Sequence, residues 1–128
     1  MIKIAKIFLI DDDIDVMMLF EQFLIIKGHK VIGKAYNGEE AIKIFKQFQI
    51  KPDVILMDHR MPLKNGLETT KEILKLDSDS NIIFVSADYT ARNQAFKVGA
   101  VDFLEKPIDL DTLVSIIKKY SPIQNKIT

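Results

Sequence analysis

The stretch FLIDDDIDVMML, residues 8–19, sets Asp11, Asp12, Asp13 and Asp15 directly after one apolar run and directly before another. Like charges at that density repel, so they gather around a calcium ion, a covalent intermediate, a magnesium ion, or nothing but water. Further along, Asp58 follows VILM, Ser86 follows IIFV, and Lys106 stands one residue beyond VDFL and just before Pro107. If these apolar runs are neighbouring strands, three carboxylates, a hydroxyl and a lysine converge on one edge of a sheet. That set suits magnesium and phosphate. Mg2+ takes one or two carboxylates, a carbonyl, waters and a phosphate oxygen; a lysine supplies a point charge for a phosphoryl group; a serine hydroxyl donates to one of its oxygens.

The elements that must position these residues are legible as an alternation. Short β-branched runs at residues 4–10, 30–35, 54–57, 82–85 and 101–104 alternate with longer amphipathic segments. Most runs are apolar at consecutive positions, as strands covered on both faces are, so the sheet is expected to be parallel. Residues 14–27 are apolar nearly all round. Ala41, Ile44, Phe45 and Phe48 mark one face of a second helix, and Leu67, Thr70 and Leu74 mark a third. Ala91, Ala95 and Val98 mark a fourth, and Leu110, Leu113, Ile117 and Tyr120 a fifth. Asn37 and Asn65 each stand three residues before a glutamate, Glu40 and Glu68, close to a capping-box pattern. Gly28 and Gly99 stand where C-terminal caps belong. Ser121-Pro122 ends the last helix and leaves residues 123–128 as a short polar tail, expected to be frayed. Right-handed crossovers then give a doubly wound α/β domain over residues 1–122, of nucleotide-binding or flavodoxin-like strand order. In such sheets ligands bind beyond the carboxyl ends of the strands, where the acids, the serine and the lysine fall.

Composition excludes several classes. With 18 basic and 18 acidic residues the formal charge is zero, which leaves no basic footprint for nucleic acid or anionic lipid. The absence of cysteine excludes disulfides, thiolate catalysis and cysteine-ligated zinc. The apolar stretch at residues 7–10 breaks at Asp11, too short for a signal-peptide core or a membrane span, so a cytoplasmic protein is expected.

The motifs FLIDDD, PDVILMDHRMP, NGLE, IIFVSA and FLEKP, in that order, resemble the receiver domain of two-component response regulators across residues 5–120. The resemblance implies a flavodoxin-like (βα)5 three-layer sandwich with a parallel sheet of order 2-1-3-4-5. It implies that Asp58 takes phosphate from a histidine kinase or a histidine phosphotransfer protein. Asp12 would ligate Mg2+ (or Mn2+) directly and Asp11 mostly through water, with Asp58 and the Arg60 backbone carbonyl completing the protein's share. Ser86 would be the switch hydroxyl and Lys106 the phosphoryl-binding cation, with the Lys106-Pro107 bond cis. Phe103 occupies the rotating aromatic position but lacks the hydroxyl of the commoner tyrosine. Arg60 and Asp88, of opposite charge at the pocket rim, are expected to meet across its mouth, shield the acyl phosphate and slow its hydrolysis. The chain is expected to be a stand-alone binding switch, not an enzyme beyond self-catalysed phosphoryl transfer and autodephosphorylation. Its effector protein would dock on the fourth helix, fifth strand and fifth helix, where Arg92, Phe96 and Lys97 are candidate contacts. It would be a monomer or a weak phosphorylation-dependent homodimer.

Simpler and rival readings accompany this one. Asp13 and Asp15 read as acids favoured in a helix's first turn. Met17, Met18, Met57 and Met61 read as packing residues, and His29, beside Gly28 in a turn, is expected at the surface. A calcium loop with Asp11, Asp13 and Asp15 at its first, third and fifth positions fails at Val16 and Gln22. A haloacid-dehalogenase-type phosphatase would use Asp11 as nucleophile in a D-x-D pattern with Ser86 and Lys106, but 128 residues leave little room for that fold and its cap. A receiver-like module that never uses phosphate is the remaining alternative.

Overall fold

The computed structural model describes residues 2–124. Five strands, β1 (Lys6–Ile10), β2 (Lys30–Ala35), β3 (Val54–Met57), β4 (Ile82–Ser86) and β5 (Asp102–Glu105), form one sheet. They alternate with five helices, α1 (Ile14–Ile26), α2 (Gly38–Gln47), α3 (Gly66–Leu76), α4 (Arg92–Val98) and α5 (Leu110–Lys119). The spatial order is 2-1-3-4-5, all parallel, as expected. The consecutive apolar runs have a direct structural cause. Every residue of β3 and β4 is buried, because both faces of these central strands are covered. Phe8, Ile10, Ile55, Met57 and Phe84 face α2, α3 and α4, whereas Ile7, Leu9, Val54, Leu56, Ile83 and Val85 face α1 and α5. Strand alternation thus builds two separate cores, one on each side of the sheet.

Helix boundaries are set by caps. Asn65 closes a full capping box, its side chain accepting from Glu68 N–H while Glu68 accepts from Asn65 N–H. Asn37 accepts from Glu40 N–H, but the Glu40 carboxylate reaches one residue further back, to Tyr36 N–H. Gly28 and Gly99 end α1 and α4 with φ of 90° and 116°, the left-handed region that a side chain disfavours.

Two expectations need correction. His29 is buried at 3% exposure, not at the surface. Its Nδ1 accepts the Ala5 N–H at 3.0 Å, so the ring ties the approach to β1 against the turn before β2. The frayed tail also fails at its start, since Ile123–Gln124 pairs antiparallel with Ile2–Lys3. Two extended segments side by side can satisfy each other's backbone groups, which outweighs the polar composition of the tail. Residues 125–128 lie outside the described residues. Among the described residues no helix is long and apolar enough to cross a membrane.

Candidate phosphate and metal site

The site is assembled by backbone bonds that carry β1, β3 and β5 one residue past their ends. Asp11 N–H donates to Ala35 O at 3.1 Å, Asp58 N–H to Ile10 O at 2.9 Å, and Lys106 N–H to Ser86 O at 3.0 Å. These bonds join the carboxyl end of β1 to those of β2 and β3, and that of β5 to β4, with the switch point beside β1, where the chain reverses its winding. Asp11, Asp12 and Asp58 each place a carboxylate oxygen within 4.8 Å of the others. Lys106 Nζ lies 2.7 Å from Asp11 Oδ2 and 3.7 Å from Asp58 Oδ1.

The acids are not equivalent. Asp11 is buried, with Oδ1 accepting the Asp13 N–H at 2.9 Å and Oδ2 taking the lysine. Asp12 is exposed and its carboxylate has no hydrogen-bond partner among the described residues. Asp58 is buried at 7% exposure, and burial together with the neighbouring Asp11 charge pushes its carboxyl up to about 6. Three clustered carboxylate oxygens, one of them on a carboxyl raised by burial and then by the Asp11 charge, fit a hard divalent cation that would offset the repulsion. Asp13 does not join them. Its side chain caps α1 by accepting from Asp15 N–H and Val16 N–H, and both Asp13 and Asp15 are exposed. The helix that starts at Ile14 removes the loop a calcium site would need, and a lysine-paired Asp11 beside a capping Asp13 is not a D-x-D nucleophile.

The far wall comes from β4 and the one-turn 3-10 helix Tyr89–Ala91. Ser86 is buried, and its Oγ accepts the Asp88 N–H at 3.0 Å. Asp88 in turn accepts from Arg60 Nε at 3.2 Å and from Thr90 N–H and Oγ1. The Thr90 hydroxyl and the Arg60 guanidinium hold the Asp88 carboxyl below its ordinary value. The contact expected between Arg60 and Asp88 is thus present, with Arg60 at 78% side-chain exposure and Asp88 at 12%. Phe103 is buried, stacked 6.2 Å from Phe84, with Tyr89 edge-on at 6.1 Å. Its ring already lies inward. The Lys106-Pro107 bond is cis.

Three features escaped the sequence reading. Gly66 opens α3 directly against the exit of β3, so a Cβ there would overlap Asp58 O and crowd His59 Cα. The glycine after the Asn65 cap was a visible signal, but only of a helix start. Thr90 joins Asp88 through a local turn, and Lys106 pairs with Asp11 more closely than with Asp58. Nothing local marks that choice. Arg92, Phe96 and Lys97 are all exposed on α4, with the Arg92 guanidinium 5.0 Å from the Phe96 ring centre.

Comparison with known proteins gives consistent results. A family model described as the response regulator receiver domain matches residues 7–118. The chemotaxis protein CheY of Thermotoga maritima is 35% identical over 118 residues, covering 91% of this chain and 97% of that protein. The probable C4-dicarboxylate response regulator DctR of Bacillus subtilis is 36% identical over 125 residues, covering 95% of this chain but 54% of that protein. Among solved structures, the response regulator TrrA of Thermotoga maritima in complex with Mg2+ and BeF superposes with a TM-score of 0.80 at 30% identity, covering 93% of this chain and 99% of that one.

Proposed function

The chain belongs to the response regulator receiver family, phosphoacceptor modules of two-component signalling, and we propose that Asp58 is its acceptor and Asp12 its principal metal ligand. Receiver domains are signalling modules that bind Mg2+ in their acidic pocket. The observation that carries the residue assignment is the division of labour among the acids. Asp11 has both oxygens committed, to Lys106 and to the Asp13 N–H. Asp12 is exposed and has no side-chain partner among the described residues, and Asp58 is buried with a carboxyl that resists ionisation. Asp12 and Asp58, with the Arg60 backbone carbonyl, would hold Mg2+ or Mn2+, and Asp11 would act through water. When bound, the cation supplies positive charge against the repulsion between a carboxylate and an incoming phosphoryl group.

The chain's own residues do the rest. An Asp58 carboxylate oxygen attacks phosphorus, the P–O bond forms as the P–N bond to the donor histidine breaks, and the donor ring, already protonated on its other nitrogen, takes the bonding pair and leaves as neutral imidazole. Lys106, 3.7 Å from Asp58, is near enough to turn from Asp11 to the phosphoryl oxygens. Ser86 Oγ accepts the Asp88 N–H through a lone pair and keeps its own hydrogen to donate to the same group. Drawing Ser86 toward that group pulls through the same bond on Asp88, the junction that ties Arg60 to the 3-10 turn. Tyr89 on that turn packs on Phe103, so a local charge event reaches the face formed by α4, β5 and α5. That face, with Arg92, Phe96 and Lys97, would engage the effector. The phosphodonor is a histidine kinase or phosphotransfer protein, and self-catalysed transfer and hydrolysis are the only chemistry.

Titration with Mg2+ and beryllofluoride, followed by amide chemical shifts, tests this reading. Shifts are expected at Asp58, Ser86, Tyr89 and Lys106 in the wild type and not in Asp58→Asn. An equal response in the variant contradicts it.

A further inference from the structure

Asp88 joins three neighbours at the pocket rim. Its N–H donates to Ser86 Oγ, its Oδ1 accepts from both the N–H and the hydroxyl of Thr90, and its Oδ2 accepts from Arg60 Nε at 3.2 Å. The two members of the ion pair differ in freedom, since the Arg60 side chain is largely exposed and the Asp88 side chain largely covered. The acid therefore sets the direction of the pair. The bond from the Thr90 N–H caps the 3-10 turn Tyr89–Ala91, and any residue except proline can supply it. The hydroxyl is the part that threonine adds, and on an exposed residue it has water as an alternative partner. Two donors on one oxygen fix the plane of a carboxylate that otherwise turns broadly about its last torsion.

We propose that Thr90 is a positioning residue for the acyl phosphate: its hydroxyl holds the Asp88 carboxylate so that Oδ2 stays aimed at Arg60 across the pocket mouth, which lengthens the life of the phosphate. This rests on the reading that the pair of Arg60 and Asp88 shields the phosphate. A solvated ion pair forms at a cost in side-chain freedom that nearly cancels its attraction. Fixing one partner beforehand removes part of that cost, so the arginine spends more of its time across the mouth. Without the hydroxyl, Asp88 keeps its backbone bond to Ser86 but its carboxylate turns, and Arg60 swings out into water. Thr90 itself does not reach the phosphate. It acts through Asp88 and Arg60.

Two readouts on Thr90→Val and Thr90→Ser separate this role from that of a simple turn cap. The first is the Arg60 Nε–H resonance of the unphosphorylated protein. Thr90→Ser is expected to leave it in place, and Thr90→Val to move it toward its position in Asp88→Ala. The second is dephosphorylation after donor removal. Thr90→Val is expected to lose phosphate about three-fold faster than the wild type, and Thr90→Ser at the wild-type rate. Arg60→Ala combined with Thr90→Val should be no faster than Arg60→Ala alone, because both changes break one chain of contacts. An unmoved resonance in Thr90→Val overturns the proposal. So does a rate that rises equally with and without Arg60, which loss of a turn cap alone would produce. If Arg60→Ala speeds hydrolysis and Thr90→Val does not, the shielding stands and the part assigned to Thr90 fails. If neither variant changes the rate, the shielding itself fails and the proposal falls with it.

Discussion

Asp58 is ionised at neutral pH against both burial and the Asp11 charge, which hold its carboxyl at about 6 rather than 3.8. A folded-state value above the unfolded one means that the folded, metal-free protein binds the extra proton in the window between those two values. Stability therefore falls as pH rises through that window. Asp58→Asn is expected to remove this dependence and to raise the metal-free protein's stability at pH 7 by roughly 1–2 kcal/mol, read from urea unfolding at several pH values. Lys106→Met should act in the opposite direction. It leaves the buried Asp11 carboxylate without its cation, at a cost of roughly 2 kcal/mol, in the same unfolding assay. Arg60 behaves differently because its side chain is 78% exposed. An ion pair so solvated is worth at most about 1 kcal/mol, so Arg60→Ala should leave stability nearly unchanged. If the pair shields the acyl phosphate, the same variant loses phosphate up to ~5-fold faster, measured as dephosphorylation after donor removal. An unchanged rate would show that the contact shields nothing.

At the scale of elements, the joint between the chain's N-terminal approach and β2 depends on a neutral His29. Burial and the Lys118 charge lower its pKa from the ordinary 6.5. A depressed histidine contributes stability that is complete above that ordinary value and is lost as pH falls, because the unfolded chain takes the proton first. Thermal unfolding of Asp58→Asn, which lacks the opposing dependence, should show this slope between pH 5 and pH 7, and adding His29→Leu should flatten it; a double variant with the same slope would contradict the assignment. The strands were legible because a buried parallel sheet writes itself as unbroken apolar runs, and the Asn65 and Asn37 caps because capping is local. His29 was not, because polarity beside a glycine turn argues for the surface and only the distant Ala5 N–H says otherwise. The pairing of Ile2–Lys3 with Ile123–Gln124 joins opposite ends of the sequence, so no window of residues contains it. Asp11, Asp58, Ser86 and Lys106 were legible as strand-end residues once the strands were placed. The preference of Lys106 for Asp11, and the closeness of Gly66 to Asp58, required the assembled sheet.

For the whole molecule, the acidic pocket couples folding to metal. A cation that binds only the folded state adds about 2.7 kcal/mol at a hundred times its dissociation constant. Mg2+ should therefore raise the unfolding temperature, and EDTA should reverse it. Below pH 6 the rise should shrink, since protonated Asp58 cannot ligate. The same pocket defines the function most directly under transfer conditions. Incubated with Mg2+ and a small phosphodonor, the chain should gain one phosphoryl group that maps by mass to Asp58, and Asp58→Asn should gain none. Labelling that maps to Asp11, or that survives Asp58→Asn, would contradict the assignment of Asp58 as the acceptor.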